Sequence, residues 1–420
     1  MEHFYSDPTF QMACEQFRLT ADHLQMPEDL RERLMYPKRS LAVAVPVRMD
    51  NGSTRVYQGY RVQHHLSMGP TKGGTRFAST VTVGEVAALA MWMSWKCALS
   101  GLPYGGAKGG VHVDPRSLSR NELEGLSRRY MQEMIPFIGS HTDIMGPDMG
   151  TNEQVMAWFM DTYSAYKGHA VPEIVTGKPV SVGGTSGRRE STGRGVVYLI
   201  ERAANVIKLK LIGSTAVVQG FGNVGAVVAQ GLAYKNGMRI IGISDVAGAY
   251  RNDKGIDVKA TEEYVLKHGD LTGFSGAELI SAEELLTMEC DVLVPAAVSA
   301  VIHGRNATQL KCKILAEGAN GPTTPEADLI LAKRGDIFMI PDILCNAGGV
   351  IVSYFEWIQS LQSFFWNETE VVDRLFRVLE QSFAAVIKRA TDEKISNRLA
   401  AFAIGVERVM KARCDRGLFP

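Results

Sequence analysis

The stretch TAVVQGFGNVG, residues 215–225, joins a short apolar run to a glycine motif, and the helical pattern AVVAQGLAYKNG (226–237) follows directly. A GxGxxG motif between a strand and a helix is typical of dinucleotide binding. Gly220 would permit the tight turn, Gly222 the close approach of a pyrophosphate and Gly225 the packing of helix on strand. With Asn223 and Val224 before it, the helix N-terminus would offer free N–H groups to the phosphates.

An acid and further strands follow the motif at the expected distances. The next apolar run, RIIGISD (239–245), ends in Asp245, about 20 residues on, where a carboxylate can accept a hydrogen bond from a ribose 2′-OH. This favours NAD, while NADP stays open because Arg251 and Lys254 could fold back towards a 2′-phosphate. Further apolar runs at 291–297, 313–319 and 337–342 alternate with helical or turn segments and predict a mostly parallel, doubly wound sheet.

The length of 420 residues indicates two domains in an α/β protein. We predict an N-terminal substrate-binding and oligomerisation domain with a mixed sheet over residues 1–185, joined by a C-terminal helix at about 397–420. A Rossmann-like dinucleotide-binding domain would occupy 186–396, and the Gly/Ser/Thr-rich stretch 181–195 would mark the boundary. In the first domain, the alternating residues 41–65 with a DNG turn predict a hairpin, and helical patterns occupy about 82–100, 119–136 and 152–166.

Composition excludes several classes of function. The 45 basic and 45 acidic residues cancel, so no basic patch indicates nucleic acid or anionic lipid. The six cysteines are scattered, as reduced cytoplasmic thiols are, and we expect a cytoplasmic protein without a membrane span or signal peptide. The longest apolar run (86–95) predicts a buried helix, with Thr82 and Glu85 spaced as a capping box. No metal site is expected, because the histidines lack a ligand cluster of known spacing.

Three lysines near glycine turns are candidates for a substrate site. Lys72 lies in MGPTKGGTRF (68–77), Lys96 ends the apolar helix, and Lys108 lies in GLPYGGAKGGVHVDP (101–115). Two could fix carboxylates and the third could supply an amine for chemistry. The segment HTDIMGPDMGTNEQ (141–154) adds Asp143 and Asp148 around another glycine turn. Taken singly, each has an ordinary alternative as a solvated lysine or a turn acid.

Together, these segments resemble the amino-acid dehydrogenases of the glutamate/leucine/phenylalanine/valine family, and within it the hexameric, glutamate-specific members. The resemblance also rests on VTGKP (175–179), GRRESTGRGV (187–196), AEGANGPTT (316–324) and CNAGGVIVSYFEW (345–357). It implies reversible oxidative deamination of L-glutamate to 2-oxoglutarate and ammonia with NAD or NADP, in a homohexamer. The helical antenna of the family's animal members is not implied, because only residues 354–420 follow Ser353.

The resemblance also implies residue roles. Lys108 would be the catalytic lysine and Asp143 the proton-shuttling acid. The implied substrate-binding residues are Lys72, Lys96, Arg188 and Ser353, with Lys96 on the α-carboxylate and Lys72 with Ser353 on the γ-carboxylate. The implied nicotinamide-binding residues are Thr192, Asn320 and Asn346.

Burial of Lys108 beside other cations would lower its pKa, so that it can act as a base, and the flanking glycines would let main chain crowd the substrate. Two alternatives remain, a dehydrogenase of apolar amino acids and a catalytically inactive dinucleotide sensor on the same fold.

Overall fold

Two β-sheets organise the chain, one in each of two compact units. The computed structural model describes residues 6–418. One unit contains the chain up to Arg188, the segment Val350–Asp373 and the chain from Phe402 onward, and the other contains Arg189–Gly349 and Arg374–Ala401. The first crossing between the units falls within the stretch 181–195, while the domain limits given above stay a prediction.

The first unit is built on a five-stranded mixed sheet of order β1-β2-β4-β3-β5. Its strands are β1 (Arg39–Arg48), β2 (Thr54–Gln63), β3 (Thr71–Ala78), β4 (Gly105–His112) and β5 (Asp143–Pro147). The accompanying helices are α1 (Pro8–His23), α2 (Glu28–Met35), α3 (Val83–Leu99), α4 (Arg120–Met134) and α5 (Glu153–Lys167). Strands β4, β3 and β5 are parallel, so their carboxyl ends share one edge of the sheet.

The predicted hairpin and helices of this unit are present. Strands β1 and β2 pair antiparallel from Arg39↔Gln63 to Arg48↔Thr54, and Gly52 takes φ +83° in the DNG turn. Helices α4 and α5 pack together against the sheet and bury Leu126, Tyr130 and Phe159 completely. Burying each of these side chains contributes roughly 1.5–3 kcal/mol.

The two lysine-bearing glycine segments form central strands, although glycine turns were predicted there. They form β3 and β4, and their glycines leave room for neighbouring backbone. A Cβ on Gly106 would lie 2.2 Å from the Ala90 carbonyl oxygen of α3, and one on Gly73 only 1.5 Å from the Ala107 carbonyl oxygen of β4. The glycines therefore allow helix and strands to pack closely, and the expectation that they also let main chain crowd the substrate stays a prediction.

The buried helix predicted around residues 86–95 is α3, but it has half of the expected capping box. The Thr82 side chain accepts a hydrogen bond from the Glu85 N–H at 3.0 Å. The Glu85 carboxylate does not complete the box, because it accepts a hydrogen bond from Arg76 of β3 at 2.5 Å. The ion pair with the half-buried Arg76 thus replaces the second hydrogen bond of the capping box, which the Glu85 carboxylate would have accepted.

The second unit contains a seven-stranded sheet of order β12-β11-β10-β6-β7-β8-β9. Its strands are β6 (Thr215–Gln219), β7 (Arg239–Ser244), β8 (Ala249–Arg251), β9 (Glu278–Ile280), β10 (Val292–Pro295), β11 (Ile314–Ala316) and β12 (Phe338–Ile340). Its helices are α6 (Ser191–Val206), α7 (Gly225–Gln230), α8 (Val258–His268), α9 (Ala282–Thr287), α10 (Pro325–Arg334) and α11 (Asp342–Cys345). Strands β12 to β7 are parallel, and β8 and β9 continue antiparallel.

This sheet confirms the predicted mostly parallel α/β architecture. Its central strands read as continuous apolar runs because they are buried on both faces. Three more helices complete the chain, α12 (Gly348–Gln362), α13 (Glu368–Glu393) and α14 (Asn397–Arg416). Each of these helices contains residues of both units.

Candidate active site

Lys108 and Asp148 form a buried ion pair in the first unit. Strand β4 carries Lys108, whose side chain is 5% exposed, and Asp148 is the first residue after β5. The Lys108 Nζ lies 3.0 Å from Asp148 Oδ2. Arg76, near the end of β3, donates to the same oxygen at 2.7 Å. Three neighbouring parallel strands thus bring one carboxylate and two cations together.

The charges of this group favour proton transfer. Burial lowers the pKa of Lys108, and the charge of Asp148 opposes that shift without reversing it. Burial alone would raise the pKa of Asp148, but the charges of Lys108 and Arg76 outweigh burial and hold it below the usual range of a carboxyl. Once Lys108 loses its proton, the carboxylate loses part of this stabilisation and becomes a better proton acceptor.

Lys72 lies close to Gly146 and to a hydroxyl that was not predicted. Its side chain in β3 is buried, and Nζ donates to the Met145 carbonyl at 3.2 Å. A Cβ on Gly146 would lie 2.7 Å from Lys72 Nζ and 3.3 Å from Thr176 Oγ1, so both groups pack against this glycine. The Thr176 hydroxyl is buried and has no hydrogen-bond partner within residues 6–418. Sequence analysis missed Thr176, although it lies in the quoted VTGKP block.

Arg188 and Ser353 add to the positive region around Lys72. Arg188 Nε donates to Ser353 Oγ on α12 at 3.1 Å. Burial, and then the charges of Arg188 and Arg61, lower the pKa of Lys72 to about 7. The charge of Glu356, which pairs with Lys178 at 2.8 Å, acts in the opposite direction without reversing the shift. A bound carboxylate would supply the missing negative charge.

Lys96 lies in the last turn of α3 and is buried. Burial raises the pKa of the adjacent Cys97 thiol to about 12, and the charges of Lys72 and Lys96 act in the opposite direction. Both lysines are therefore within electrostatic reach of one buried thiol. This places them in the same part of the first unit, as their predicted roles on one substrate require.

Asp143 lies away from Lys108 and pairs with other residues. It begins β5, is completely buried, and forms an ion pair with Arg61, which donates to its two oxygens at 2.5 and 2.9 Å. Gln63 donates to it at 3.0 Å. The structure does not bring Asp143 to Lys108, and a proton shuttle at this position would have to break a buried pair. The geometry favours Asp148 over Asp143 as the acid beside Lys108.

The glycine motif of the second unit has the geometry of a phosphate-binding turn. Gly220 follows β6 with φ +96°, in the region that favours glycine. A Cβ on Gly225 would lie 1.7 Å from the Gly220 carbonyl oxygen, whereas Gly222 faces open space. Asn223 and Val224 complete the turn and α7 begins at Gly225. The tight turn therefore lies at Gly220, the open approach at Gly222 and the close packing at Gly225, as predicted. These residues fit a dinucleotide.

Asp245 follows β7 and holds two loop amides. Its Oδ1 accepts from Ala247 N at 2.8 Å and its Oδ2 from Leu271 N at 2.7 Å. Each carboxylate oxygen retains a second lone pair that can accept a hydrogen bond from a ribose hydroxyl. Its predicted role on the ribose stays a prediction.

The asparagines predicted beside the nicotinamide contact each other. Asn346 Nδ2 donates to Asn320 Oδ1 and to the Ala319 carbonyl, both at 3.0 Å. Thr192, the third residue of this group, is half-buried in the first turn of α6. The structure therefore pairs two of the three predicted residues directly.

A buried arginine supports the segment that carries Asn320. Arg398 of α14 pairs with Glu317, Asp328 and Asp342. Asp342 Oδ2 accepts from Gly321 N at 2.8 Å, and Glu317 Oε2 accepts from Asp342 N at 2.8 Å. These bonds fix both ends of the loop 317–321. Sequence analysis did not identify this cluster, whose members are scattered along the chain.

No helix within residues 6–418 is long and apolar enough to cross a membrane. In the same range, no group of three or more His, Cys, Asp or Glu side chains is arranged to hold a metal ion.

Comparisons with known proteins agree with this geometry. The family model described as Glutamate/Leucine/Phenylalanine/Valine dehydrogenase matches residues 183–417, and that of the Glu/Leu/Phe/Val dehydrogenase dimerisation domain matches residues 37–165. The glutamate dehydrogenase of Thermotoga maritima is 49% identical over 411 residues, which cover 98% of this chain and 99% of that protein. The chain belongs to the glutamate/leucine/phenylalanine/valine dehydrogenase family.

Other members of the family are similar over nearly the whole chain. The NAD-specific glutamate dehydrogenase of Staphylococcus aureus is 46% identical and covers 94% of each chain. The crystal structure of hetero-hexameric glutamate dehydrogenase from Thermus thermophilus, in a leucine-bound form, superposes with a TM-score of 0.93 at 39% identity, covering 98% of each chain. These matches confirm the predicted family, the two-part α/β fold and an amino-acid dehydrogenase.

Proposed function

We propose that the protein catalyses the reversible NAD-dependent oxidative deamination of L-glutamate to 2-oxoglutarate and ammonia. The observation that carries the proposal is the buried Lys108–Asp148 pair in the same unit as the buried lysine Lys72, whose pKa is lowered by burial and by the charges of Arg188 and Arg61. Relatives at 46–49% identity over almost the full chain are glutamate dehydrogenases. A dehydrogenase of apolar amino acids would not need a buried lysine at position 72.

The substrate's two carboxylates would be bound by separate cations. Lys72, the free hydroxyl of Thr176 and the Arg188–Ser353 pair would bind the γ-carboxylate. Lys96 would bind the α-carboxylate. A carboxylate in so dry a site must be paired, because a buried unpaired charge costs several kcal/mol. This arrangement selects a dicarboxylic amino acid over leucine or valine.

Lys108 and Asp148 would move the protons of the reaction. A bound nicotinamide coenzyme supplies the oxidation, by accepting the hydride from Cα and leaving an imine. Lys108, with its lowered pKa, would then take a proton from the water that attacks the imine carbon. Asp148 would carry a proton to the amine nitrogen, so that the carbon–nitrogen bond breaks and ammonia leaves. Arg76 would hold Asp148 in place through its 2.7 Å bond.

NAD is the proposed coenzyme, with its pyrophosphate at the Gly220–Gly225 turn and its ribose at Asp245. The carboxylate of Asp245 would accept a ribose hydroxyl and repel a 2′-phosphate. Comparing kcat/KM for NAD and NADP tests this directly, and a preference for NADP would contradict the role of Asp245. We also propose a cytoplasmic homohexamer. The hexamer is supported by the Thermus relative, whose own assembly is hetero-hexameric.

Substitution of the two aspartates separates catalysis from structure. We expect Asp148→Asn and Lys108→Ala to fold and bind NADH while losing roughly 10²–10⁴ in kcat for glutamate. Asp143→Asn serves as the comparison, because it leaves Arg61 buried and unpaired and should instead cost about 3–5 kcal/mol of stability. Near-normal turnover by Asp148→Asn, measured at 340 nm, would remove Asp148 from the mechanism.

A further inference from the structure

A buried ion pair in the first unit connects helix α12 to the segment that carries Thr176. Lys178 Nζ lies 2.8 Å from Glu356 Oε1, and both side chains are completely buried. Lys178 Nζ also donates to Ser360 Oγ at 3.2 Å and to the Val175 carbonyl at 3.3 Å. No step of the proposed reaction uses either charge of this pair.

The Glu356 carboxylate binds main chain as well as the Lys178 side chain. The Gly177 N–H donates to both of its oxygens, at 2.9 and 3.0 Å, and the Lys178 N–H donates to Oε1 at 3.4 Å. Gly177 turns the chain here with φ +76°, and a Cβ at this position would lie 2.6 Å from Pro147 Cδ. The carboxylate therefore fixes the backbone immediately after Thr176.

The same carboxylate lies one turn along α12 from Ser353. Residues three apart on a helix are neighbours on its surface, so Ser353 and Glu356 lie side by side. Thr176 is the residue before the glycine that Glu356 holds, and its buried hydroxyl lies near Lys72. One side chain thus connects the segments that carry the two hydroxyls proposed for the γ-carboxylate.

Stability alone does not account for this pair. Removing two charges from water costs about as much as their attraction returns, and apolar side chains of similar volume are often equally stable in their place. An apolar pair could fill the same volume between α12 and the segment 175–178. It could not accept the Gly177 N–H, and it would leave the residue before that glycine without a fixed position.

We infer that Glu356 is a positioning residue for substrate specificity. By holding the Gly177 amide, it fixes the Thr176 hydroxyl where a substrate γ-carboxylate meets Ser353. Lys178 holds the Glu356 carboxylate in place and keeps the pair neutral. The inference rests on the proposed function, because it concerns the γ-carboxylate site of that reaction. Glu356 does not touch the substrate in this assignment and acts through Thr176.

Two double substitutions separate position from charge. The charge of Glu356 also reaches Lys72 and Arg188, so a single substitution would change the electrostatics as well as the position. The first double variant, Glu356→Leu with Lys178→Met, removes the pair and the acceptor without changing net charge. The second, Glu356→Gln with Lys178→Met, also keeps net charge but retains one amide oxygen that can accept the Gly177 N–H. Thermal unfolding verifies that each variant is folded.

Steady-state kcat/KM on glutamate and on norvaline, which lacks the γ-carboxylate, is the measurement. We expect the first double variant to lose about 10- to 100-fold on glutamate, the worth of a hydrogen bond to a charged group, and to change little on norvaline. The second double variant should recover most of the loss. Equal losses on the two substrates, equal losses in the two double variants, or unchanged activity on glutamate would overturn the inference.

Thr176→Val tests the route by which Glu356 acts. This variant leaves the ion pair intact and should itself lower kcat/KM for glutamate but not for norvaline. Adding the first double substitution to it should cost little more, because the hydroxyl that the pair positions is already absent. Additive losses, or full selectivity for glutamate in Thr176→Val alone, would overturn the inference. A wild-type protein that does not prefer glutamate to norvaline would instead contradict the proposed function, and the inference with it.

Discussion

Several charged side chains of this protein are buried, and Lys72 shows how burial changes a pKa. Its ammonium group donates a hydrogen bond to the Met145 carbonyl, and its pKa of about 7 reflects lost hydration and two nearby arginines. An anionic substrate side chain bound beside Thr176 would raise the pKa of Lys72 again, because its negative charge would stabilise the ammonium group. We therefore propose that Lys72 discriminates between charged and apolar substrates.

Replacing Lys72 with leucine should lower activity on glutamate much more than activity on apolar amino acids. Lys72→Leu removes the central cation proposed for the γ-carboxylate but leaves Lys96, Lys108 and Asp148 intact. Breaking such a pair typically costs about 3–5 kcal/mol, or roughly 10²–10³ in kcat/KM for glutamate. Activity on norvaline should fall much less. Equal losses on glutamate and norvaline would assign Lys72 a general structural role.

The pH dependence of selectivity should report the protonation of Lys72. Because burial lowers its pKa to about 7, the free enzyme loses this positive charge as pH rises through neutrality. The ratio of kcat/KM for glutamate to that for norvaline should therefore fall with rising pH above about 7, since kcat/KM reports the free enzyme and shared groups such as Lys108 cancel. In Lys72→Leu the ratio should not change with pH. A flat wild-type ratio would contradict the role of Lys72.

Sequence reasoning identified most of the site's residues but not their pairing. The lysines at 72, 96 and 108 are all buried in the first unit, as their predicted roles require. Asp143 and Asp148 lie five residues apart around what the sequence suggested was a glycine turn, and sequence alone could not show which points towards Lys108. The end of β5 decides it, because Asp143 starts the strand beside Arg61 and Asp148 leaves it beside Lys108.

At the scale of elements, glycine sets how closely strands β3 and β4 pack. The sequence predicted glycine turns here, and glycine is generally depleted in strands. Burial among β-strands and a helix outweighs that preference, since side chains at Gly73 or Gly106 would collide with backbone. By contrast, the hairpin, α4, α5 and the parallel sheet followed from local apolar periodicity and could be predicted.

A single methyl group should test this packing. Gly106→Ala would place Cβ 2.2 Å from the Ala90 carbonyl oxygen and 2.4 Å from Ser94 Oγ, and we expect a loss of about 1–3 kcal/mol in the free energy of unfolding. The control is Gly125→Ala in α4, where Cβ would meet only Val47 at 3.5 Å. That variant should gain roughly 0.5–1 kcal/mol. Urea denaturation measures both, and equal stability would refute the packing argument.

At the scale of the whole molecule, each of the two units has its own sheet and its own set of predicted residues. The lysine-bearing strands belong to the first unit and the glycine turn to the second. The alternation of strands and helices after residue 215 was enough to predict the second sheet. The clustering of Arg398 with three acids was not predictable, because it depends on contacts between residues up to 81 positions apart.

The proposed assembly has a simple test in solution. Light scattering at micromolar protein should return a mass six times that of the 45.9 kDa chain. Closed symmetry is the usual outcome for soluble homo-oligomers. A monomer mass under these conditions would exclude the proposed homohexamer without bearing on the chemistry of Lys108 and Asp148.

The packing of β3 and β4 also limits how the enzyme can evolve. Positions 73 and 106 accept no side chain larger than hydrogen without moving backbone, so mutation there is expected to be lost to misfolding before it can alter substrate range. Ser353 and Thr176 are side chains on other segments, outside these two strands. Directed evolution towards new amino acids should therefore accumulate substitutions at 72, 176 and 353, and leave the glycines unchanged.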